Sequence, residues 1–359
     1  MIVSKGLASN CRKGINDLLH GRTLSSDEIE TLFHGIFSDG DTMLSEEESN
    51  LLSGFLVALA MKGESVRELV GAARAMRHHG RRIQISGQAM SSTVVDIVGT
   101  GGDSLETFNI STTSAFVAAG AGLIVAKHGN RAASGLCGSA DVLERCGVNL
   151  NLRPEYVEEL IAEIGIGFLY AQNFHPAMRR VAPLRKRLGI RTLFNLLGPL
   201  TNPAGASCVL LGVYAPQLTE MFAETLRELG CRRAMIVHGY DGMDELTITT
   251  RSRVSELDEG RIRTYDFFPK LCFDSEFADP RELQGGDASE NAAILRGVIS
   301  GKIRNGKRNI VLLNAGAAIF CAEKAASIME GVNMAAESID SGAALEKLNR
   351  LIEYSNLSK

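Results

Sequence analysis

The sequence predicts an α/β protein in which a small helical domain precedes a larger α/β domain. Three observations predict it. The first eighty or so residues carry apolar side chains at helical spacing. From Val94 onward, short β-branched runs alternate with helical stretches. Between Val94 and Thr112 the run VVDIVGTGGDSLETFNIST goes from an apolar strand through a glycine cluster to hydroxyl-bearing residues placed where a helix would open. At 359 residues the chain is long for one compact core, so two domains are expected.

In the helical part, Ile29, Leu32, Phe33, Ile36 and Phe37 recur with the period of a helix face. Ser45 with Glu48 and Ser65 with Glu68 have capping-box spacing, and Gly63 and Gly80 are natural stops. The helix carrying Leu51, Leu52, Phe55, Leu56 and Leu59 is apolar enough to need cover, from the chain's own core or from a second subunit. Strands are then predicted at Val94 to Val98, Leu123 to Ala126, Gly167 to Tyr170, Val209 to Tyr214, Ala234 to His238 and Asn309 to Leu313, with a further alternating strand just after Glu245. The basic segment His175 to Leu188, with Pro183 inside it, reads as an interrupted helix and connector. The tail from Ser289 to Ser355 reads as helical apart from the Asn309 strand, with Leu345, Leu348 and Leu351 as its apolar marks.

Composition narrows the function. Hydrophobic residues make up 45% and the formal net charge is −4, which gives no bulk attraction to nucleic acid. The seven cysteines are dispersed and never spaced as metal-binding pairs, so they read as reduced, packed thiols. The N-terminal stretch MIVSKGLASNCRKG lacks the apolar core and cleavage site of a leader, and no segment is apolar for long enough to cross a bilayer. Cytoplasmic residence without nucleic-acid or membrane partners is the expectation.

The chemistry concentrates in three loops. Gly99, Gly101 and Gly102 follow the first strand, Asp103 adds an acid, and Asn109, Ser111 and Thr112 bring donors to the unpaired N–H groups of a first helical turn. That combination reads as a cradle for phosphate or pyrophosphate. Ser104 stands where a dinucleotide-binding fingerprint needs its third glycine, and the P-loop pattern is absent. The second loop, KHGNRAASG, runs from Lys127 to Gly135 and again follows an apolar strand. Lys127 offers a compact positive charge; Asn130, Ser134 and Ser139 offer neutral donors; His128 braces the loop or meets a second substrate. Third, Asp244 and Glu245 are adjacent carboxylates, the hard oxygen ligands that Mg²⁺ takes together with substrate phosphates.

With these residues in view, the chain resembles the anthranilate phosphoribosyltransferase family along nearly its whole length. GTGGD with TFNIST, KHGNR with GSADVLE, HPAMRRVAPLRKRLGIRTLFNLLGPLTNPA, VHGYDGMDEL and GGDASENAAILR occur in the family's order. The resemblance implies a nucleoside phosphorylase/phosphoribosyltransferase-like fold. It assigns residues 1–88 to the helical domain, with a returning segment at 173–197, and residues 89–172 and 198–359 to the α/β domain. It also implies transfer of 5-phosphoribosyl from phosphoribosyl pyrophosphate to anthranilate in tryptophan biosynthesis, with Mg²⁺ as the metal, and a homodimer through the helical domain.

By the same resemblance the phosphoribosyl pyrophosphate site takes in Gly99, Gly102, Asp103, Thr107, Asn109, Ser111, Thr112, Lys127, His128, Gly129, Asn130, Arg131, Ala132, Ala133, Ser134, Gly135 and Ser139. Anthranilate falls to Gly99, Asn130 and Arg185, with His128, His175, Gly198 and Pro199 lining its pocket. Ser111, Asp244 and Glu245 match the metal ligands. No nucleophile or general base is assigned. Arg185 has a physical case of its own, because a guanidinium pairs bidentately with a planar carboxylate. The chain departs from the family pattern at Ser104, Gly135, Cys137 and Gln172; Gly135 removes a side-chain hydroxyl from the phosphate loop and keeps the backbone N–H. A pyrimidine nucleoside phosphorylase is the nearest alternative, and the GTGGD and KHGNR loops with the acidic pair favour pyrophosphate chemistry over it. A phosphoribosyltransferase with another aromatic acceptor and a non-catalytic nucleic-acid-binding relative are the remaining alternatives.

Overall fold

The computed structural model describes residues 6–38, 42–85, 93–102, 105–132, 136–273 and 277–357. The chain divides into a helical unit, residues 1–82 and 172–203, and a second unit, residues 83–171 and 204–359. The helical unit opens with α1 (Leu7–Leu19), α2 (Ser26–Phe37), α3 (Glu46–Lys62) and α4 (Val66–His79). Capping boxes start three of these helices: Ser25, Ser45 and Ser65 each accept from the backbone three residues on, where Glu28, Glu48 and Glu68 reach back. Gly63 and Gly80 stand at the ends of α3 and α4. The helix α1, whose pattern the sequence reading did not single out, buries Leu7, Cys11 and Leu18.

The second unit then begins. The Gln84 N–H donates to Glu158 at 2.9 Å, which moves the first boundary to 82/83 from the expected 88/89. Strand β1 (Val94–Gly99) leads to α5 (Ile110–Gly120), β2 (Ile124–Gly129), α6 (Ser139–Arg145), α7 (Pro154–Ile164) and β3 (Ile166–Tyr170). After the short α8 (Ala171–Phe174) the chain rejoins the helical unit through a 3-10 turn at Pro176–Arg180, α9 (Ala182–Leu188), α10 (Leu193–Leu197) and a second 3-10 turn at Gly198–Leu200. Arginines tie this return down. Arg180 donates to the Gly35 and Ile36 carbonyls at the end of α2, Arg187 to Ser49 at 2.8 Å, and Arg77 to the Leu200 carbonyl at 2.7 Å. The last bond explains why 198–203, expected in the α/β domain, belongs with the helices.

Strands β4 (Cys208–Gly212) and β5 (Arg233–Gly239), with α11 (Leu218–Glu228) between them, resume the sheet, and β6 (Ser252–Asp258) and β7 (Arg261–Phe267) extend it. Among the described residues it is seven-stranded, in the order β3-β2-β1-β4-β5-β6-β7. Neighbours from β3 to β5 are parallel and the last two pairings antiparallel. The parallel strands are apolar because both faces are covered. Helices α12 (Ala288–Ile299), α13 (Gly306–Cys321), α14 (Ile328–Asp340) and α15 (Ala343–Leu357) complete the unit.

Two expectations are corrected here. Asn309 to Leu313 is not a strand but part of α13. Asn305 caps that helix, and it is buried nearly all round, so its apolar run carries no helical stripe. The residues after Glu245 are bends, not an alternating strand; the strand character belongs to the β6–β7 hairpin, closed by Glu259 and Gly260 at φ 45° and 83°.

Glu68 illustrates how the helical unit is held. It is fully buried, pairs with Lys62 at 2.9 Å, and accepts from the Leu24 and Ser65 backbones. Glu68→Ala is expected to cost roughly 3 kcal/mol, because it strands two backbone donors and removes the partner of the half-buried Lys62 ammonium. Urea denaturation measures this, and a loss under about 1 kcal/mol, the range of an exposed pair, would contradict the assignment.

Candidate active site

The parallel strands β1, β2 and β5 deliver three loops to their carboxyl ends, the end where ligands of such sheets bind. The first loop is anchored at once. The Thr100 N–H donates to the Gly212 carbonyl at 2.9 Å, its hydroxyl accepts from the Tyr214 N–H, and the Gly101 N–H donates to the Asp244 carboxylate at 2.8 Å. Two amides of the turn, those of Thr100 and Gly101, thus bind the protein itself. Gly101 and Gly102 sit at φ 68° and 75°, where a side chain would be strained. Asp103 and Ser104 lie outside the described residues. Thr107 bridges to Gln284, and the Gly285 N–H donates to the Glu106 carbonyl at 2.8 Å, so the GGDASEN segment braces the far end of the loop.

Helix α5 then opens with Ile110. Asn109 is its N-cap residue, but its side chain makes no cap bond and donates instead to the Cys137 carbonyl at 3.2 Å. Two buried oxygens here, Asn109 Oδ1 and Thr112 Oγ1, have no hydrogen-bond partner among the described residues. Buried polar atoms are normally satisfied, so these two make the start of α5 a candidate contact for a ligand. The first-turn N–H groups of Ser111 and Thr112 face the same end of the helix.

The second loop begins on β2. Lys127 is only 3% exposed; its ammonium donates to the Ile97 carbonyl at 2.6 Å and lies 3.4 Å from Ser111 Oγ. Burial pulls its pKa below the ordinary lysine value, and the charges of Asp96, Glu245 and Asp244 hold it up. His128 is buried and its backbone N–H donates to Asp96. Ser139 packs against Gly129, and the Asn130 carbonyl accepts from the Ser139 hydroxyl at 3.2 Å. Asp141, not Ser139, closes the loop onto α6, accepting from the Ala132 and Gly138 N–H groups. The Arg131 guanidinium is committed to Asp141 and Glu144, which raises its pKa, and rests over the Tyr170 ring. Ala133, Ser134 and Gly135 lie outside the described residues.

The acidic pair is fixed by contacts the sequence reading missed. Asp244 packs so tightly on the ends of β1 and β4 that a Cβ on Gly99 would meet its carboxylate and one on Gly212 its carbonyl. Glu245 is 9% exposed, and the next residue is clamped by the buried amide of Asn314, through Leu246 N–H and C=O at 3.0 and 2.9 Å. Asp241 accepts from the Thr247 and Thr249 hydroxyls and the Met243 N–H, pinning the loop. An acid within VVDIV and an amide within VLLNAG were the signals that could have marked Asp96 and Asn314. Among the described residues no three His, Cys, Asp or Glu side chains form a cage. Two carboxylates and a hydroxyl that each lie near the Lys127 ammonium are nevertheless the hard oxygen donors that suit Mg²⁺, which completes its shell with substrate phosphates and water.

The remaining candidates lie in the helical unit. Arg185, on α9, sits 5.6 Å over the Phe194 ring, and burial lowers its pKa. His175 is buried against Gly80, and Gly198 and Pro199 form the 3-10 turn after α10.

Residues 91–345 match the model of the glycosyl transferase family a/b domain, and residues 12–80 that of its helical bundle domain. The anthranilate phosphoribosyltransferase of Desulfosudis oleivorans is 53% identical over 340 residues, 95% of this chain and 97% of the relative. The crystal structure of the enzyme of the same name from Thermus thermophilus is 41% identical, covers 96% of this chain and 99% of its own, and superposes with a TM-score of 0.86. The Saccharomyces cerevisiae enzyme in complex with PRPP and Mg is 29% identical over 97% of this chain and 98% of its own, with a TM-score of 0.88. The fold and its loops therefore define a two-unit glycosyl transferase. Within that class, the chain belongs to the anthranilate phosphoribosyltransferase family.

Burial holds the His175 imidazole down to about 4, from an ordinary 6.5, against the opposing pull of the Thr201 backbone. The unfolded chain takes up this proton below 6.5 and the folded chain does not until about 4. The contribution is therefore complete above that window and is lost as pH falls through it, by an amount on the order of 3 kcal/mol. Urea midpoints of the parent and His175→Gln across this range should converge toward acid pH. Parallel pH profiles would contradict a neutral buried His175.

Proposed function

We propose that the chain transfers the 5-phosphoribosyl group of phosphoribosyl pyrophosphate to the amino nitrogen of anthranilate, giving N-(5-phosphoribosyl)anthranilate and pyrophosphate, in tryptophan biosynthesis. The observation that carries this reading is the meeting of a buried ammonium, two fixed carboxylates and two unpartnered buried oxygens where β1 and β2 release their loops.

In this reading the first turn of α5, with Ser111 and Thr112, receives the phosphate oxygens, Asn109 Oδ1 accepts from a hydroxyl of the same substrate, and Lys127 contributes positive charge. The anthranilate carboxylate pairs with Arg185, whose burial strengthens such a contact. His175, Gly198 and Pro199 shape the aromatic pocket, and Asn130 is available to both substrates. Ser111, Asp244 and Glu245 would hold Mg²⁺. When bound, the metal supplies charge neutralisation at the departing pyrophosphate.

The C1–N bond forms as the C1–O bond to pyrophosphate breaks, and the amine nitrogen then gives up a proton. Charge builds on the leaving group as an oxocarbenium-like ribosyl develops, and fixed donors such as the α5 amides stabilise it. Anthranilate's amine is already neutral, so orientation does the work that a general base does elsewhere. Positioning of two substrates supplies about 7–11 kcal/mol in favourable cases. A cytoplasmic location fits seven free cysteines, and among the described residues no helix is long and apolar enough to cross a membrane. We also infer a homodimer through the helical unit, which exposes Leu19 and Met61 at the ends of α1 and α3.

The test follows anthranilate fluorescence on mixing the purified protein with phosphoribosyl pyrophosphate and magnesium. Loss of fluorescence that a chelator abolishes is expected; no loss from folded protein would overturn the reading. Thr112→Val sharpens it. Removing an unpartnered buried hydroxyl leaves stability unchanged or raised, while KM for phosphoribosyl pyrophosphate rises by roughly 10-fold. A variant that loses stability with an unchanged KM would place the hydroxyl in the fold instead.

A further inference from the structure

The two loops share a fault in the sheet beneath them. Strands β1 and β2 pair at Val94↔Ile124 and Val95↔Val125, and the ladder stops there. Yet β1 stays paired with β4 as far as Gly99↔Gly212, and β2 with β3 as far as Gly129↔Tyr170. The Val125 N–H donates to Gly165, toward β3. Successive amides of a strand face opposite edges, so those of Ala126 and His128 face β1. Were the register to continue, Val98 would stand opposite His128, and the His128 N–H would donate to the Ile97 carbonyl as in any parallel ladder.

Side chains intercept both halves of that bond. The His128 N–H donates to Asp96 Oδ1 at 3.1 Å, and the Ile97 carbonyl accepts from Lys127 Nζ at 2.6 Å. Asp96 is fully buried at the centre of an otherwise apolar strand. A valine there would suit a parallel strand covered on both faces, avoid burying a carboxylate, and leave the ladder free to close. Valine would also take from the buried Lys127 ammonium one of the charges that oppose it, so the acid serves that charge as well as the placing of the loops.

We propose that Asp96 is a positioning residue for phosphoribosyl transfer. By drawing the His128 N–H out of the ladder it sets how the stems of the GTGG and KHGN loops stand to one another, and it leaves the Ile97 carbonyl to hold the Lys127 ammonium beside Ser111. Its carboxylate acts through the His128 backbone and Lys127. The proposal rests on the reading of these loops as the phosphoribosyl pyrophosphate site.

The experiment compares Asp96→Val and Asp96→Asn with the parent in melting temperature, kcat and the KM of each substrate. Asp96→Val should still fold, with a melting temperature lowered by the loss of a charge facing Lys127, and should raise KM for phosphoribosyl pyrophosphate by roughly 10- to 100-fold, the range seen when a residue that orients a binding group is removed. KM for anthranilate at saturating co-substrate should stay within about twofold, since uniform damage would move both. Asp96→Asn keeps an oxygen for the His128 N–H and should restore most of the loss. An unchanged KM for phosphoribosyl pyrophosphate in Asp96→Val, equal rises in both KM values, or an amide no better than valine would overturn the proposal. Failure of both variants to fold would also overturn it, making Asp96 a folding residue. A parent without turnover would remove the functional reading itself, whereas a turning-over parent with an unaffected Asp96→Val removes the role of Asp96 alone.

Discussion

A lysine ammonium held inside the protein organises the second unit. Lys127 is buried at the end of β2, and an isolated charge there would cost several kcal/mol. Its neighbours meet that cost: the Ile97 carbonyl and Ser111 hydroxyl as acceptors, and Asp96, Glu245 and Asp244 as opposing charges. These groups come from β1, α5 and the loop after β5. One side chain thus links the three segments to which the proposed function gives the phosphate and the metal, and displacing any of them would leave buried charge unbalanced.

The second constraint is steric. Asp244 can reach the Gly101 amide only because Gly99 and Gly212 carry no Cβ, so these glycines serve approach of the acid to the strand ends as well as turn formation. The rest of the acidic loop is anchored from outside the site, by Asn314 on α13 and by the Asp241 bonds to Thr247 and Thr249. In the proposed reading, a rigid acidic loop that holds a cation and a helix start with an unpartnered hydroxyl are preorganised for a metal-bound phosphate.

Much of this was legible in the residues. The capping boxes at Ser45 and Ser65 announced their helices because the signal is local, and the strand-to-glycine transitions after Val98 and Ala126 placed both anion loops. What was not legible depended on distant partners. The apolar run at Asn309 reads equally as strand or as buried helix, and only the packing of α13 among other elements decides. The β6–β7 hairpin escaped because SRVSELD and RIRTYDF are polar, their partners being each other and β5. Among site residues, the loop pattern pointed to Lys127 and the acidic pair, and the family likeness agreed. The acids and amide that hold them, Asp96, Asp141, Asp241 and Asn314, have no chemical pattern of their own in the sequence and acquire a role only when folded.

The central claim is that the ammonium, the acidic pair and the α5 start together receive phosphoribosyl pyrophosphate with magnesium. Calorimetric titration of phosphoribosyl pyrophosphate into the protein, with anthranilate absent and magnesium present or chelated, tests it most directly. The account predicts saturable binding that weakens markedly when the metal is removed. Binding of equal strength with and without magnesium, or none in either condition, would contradict it.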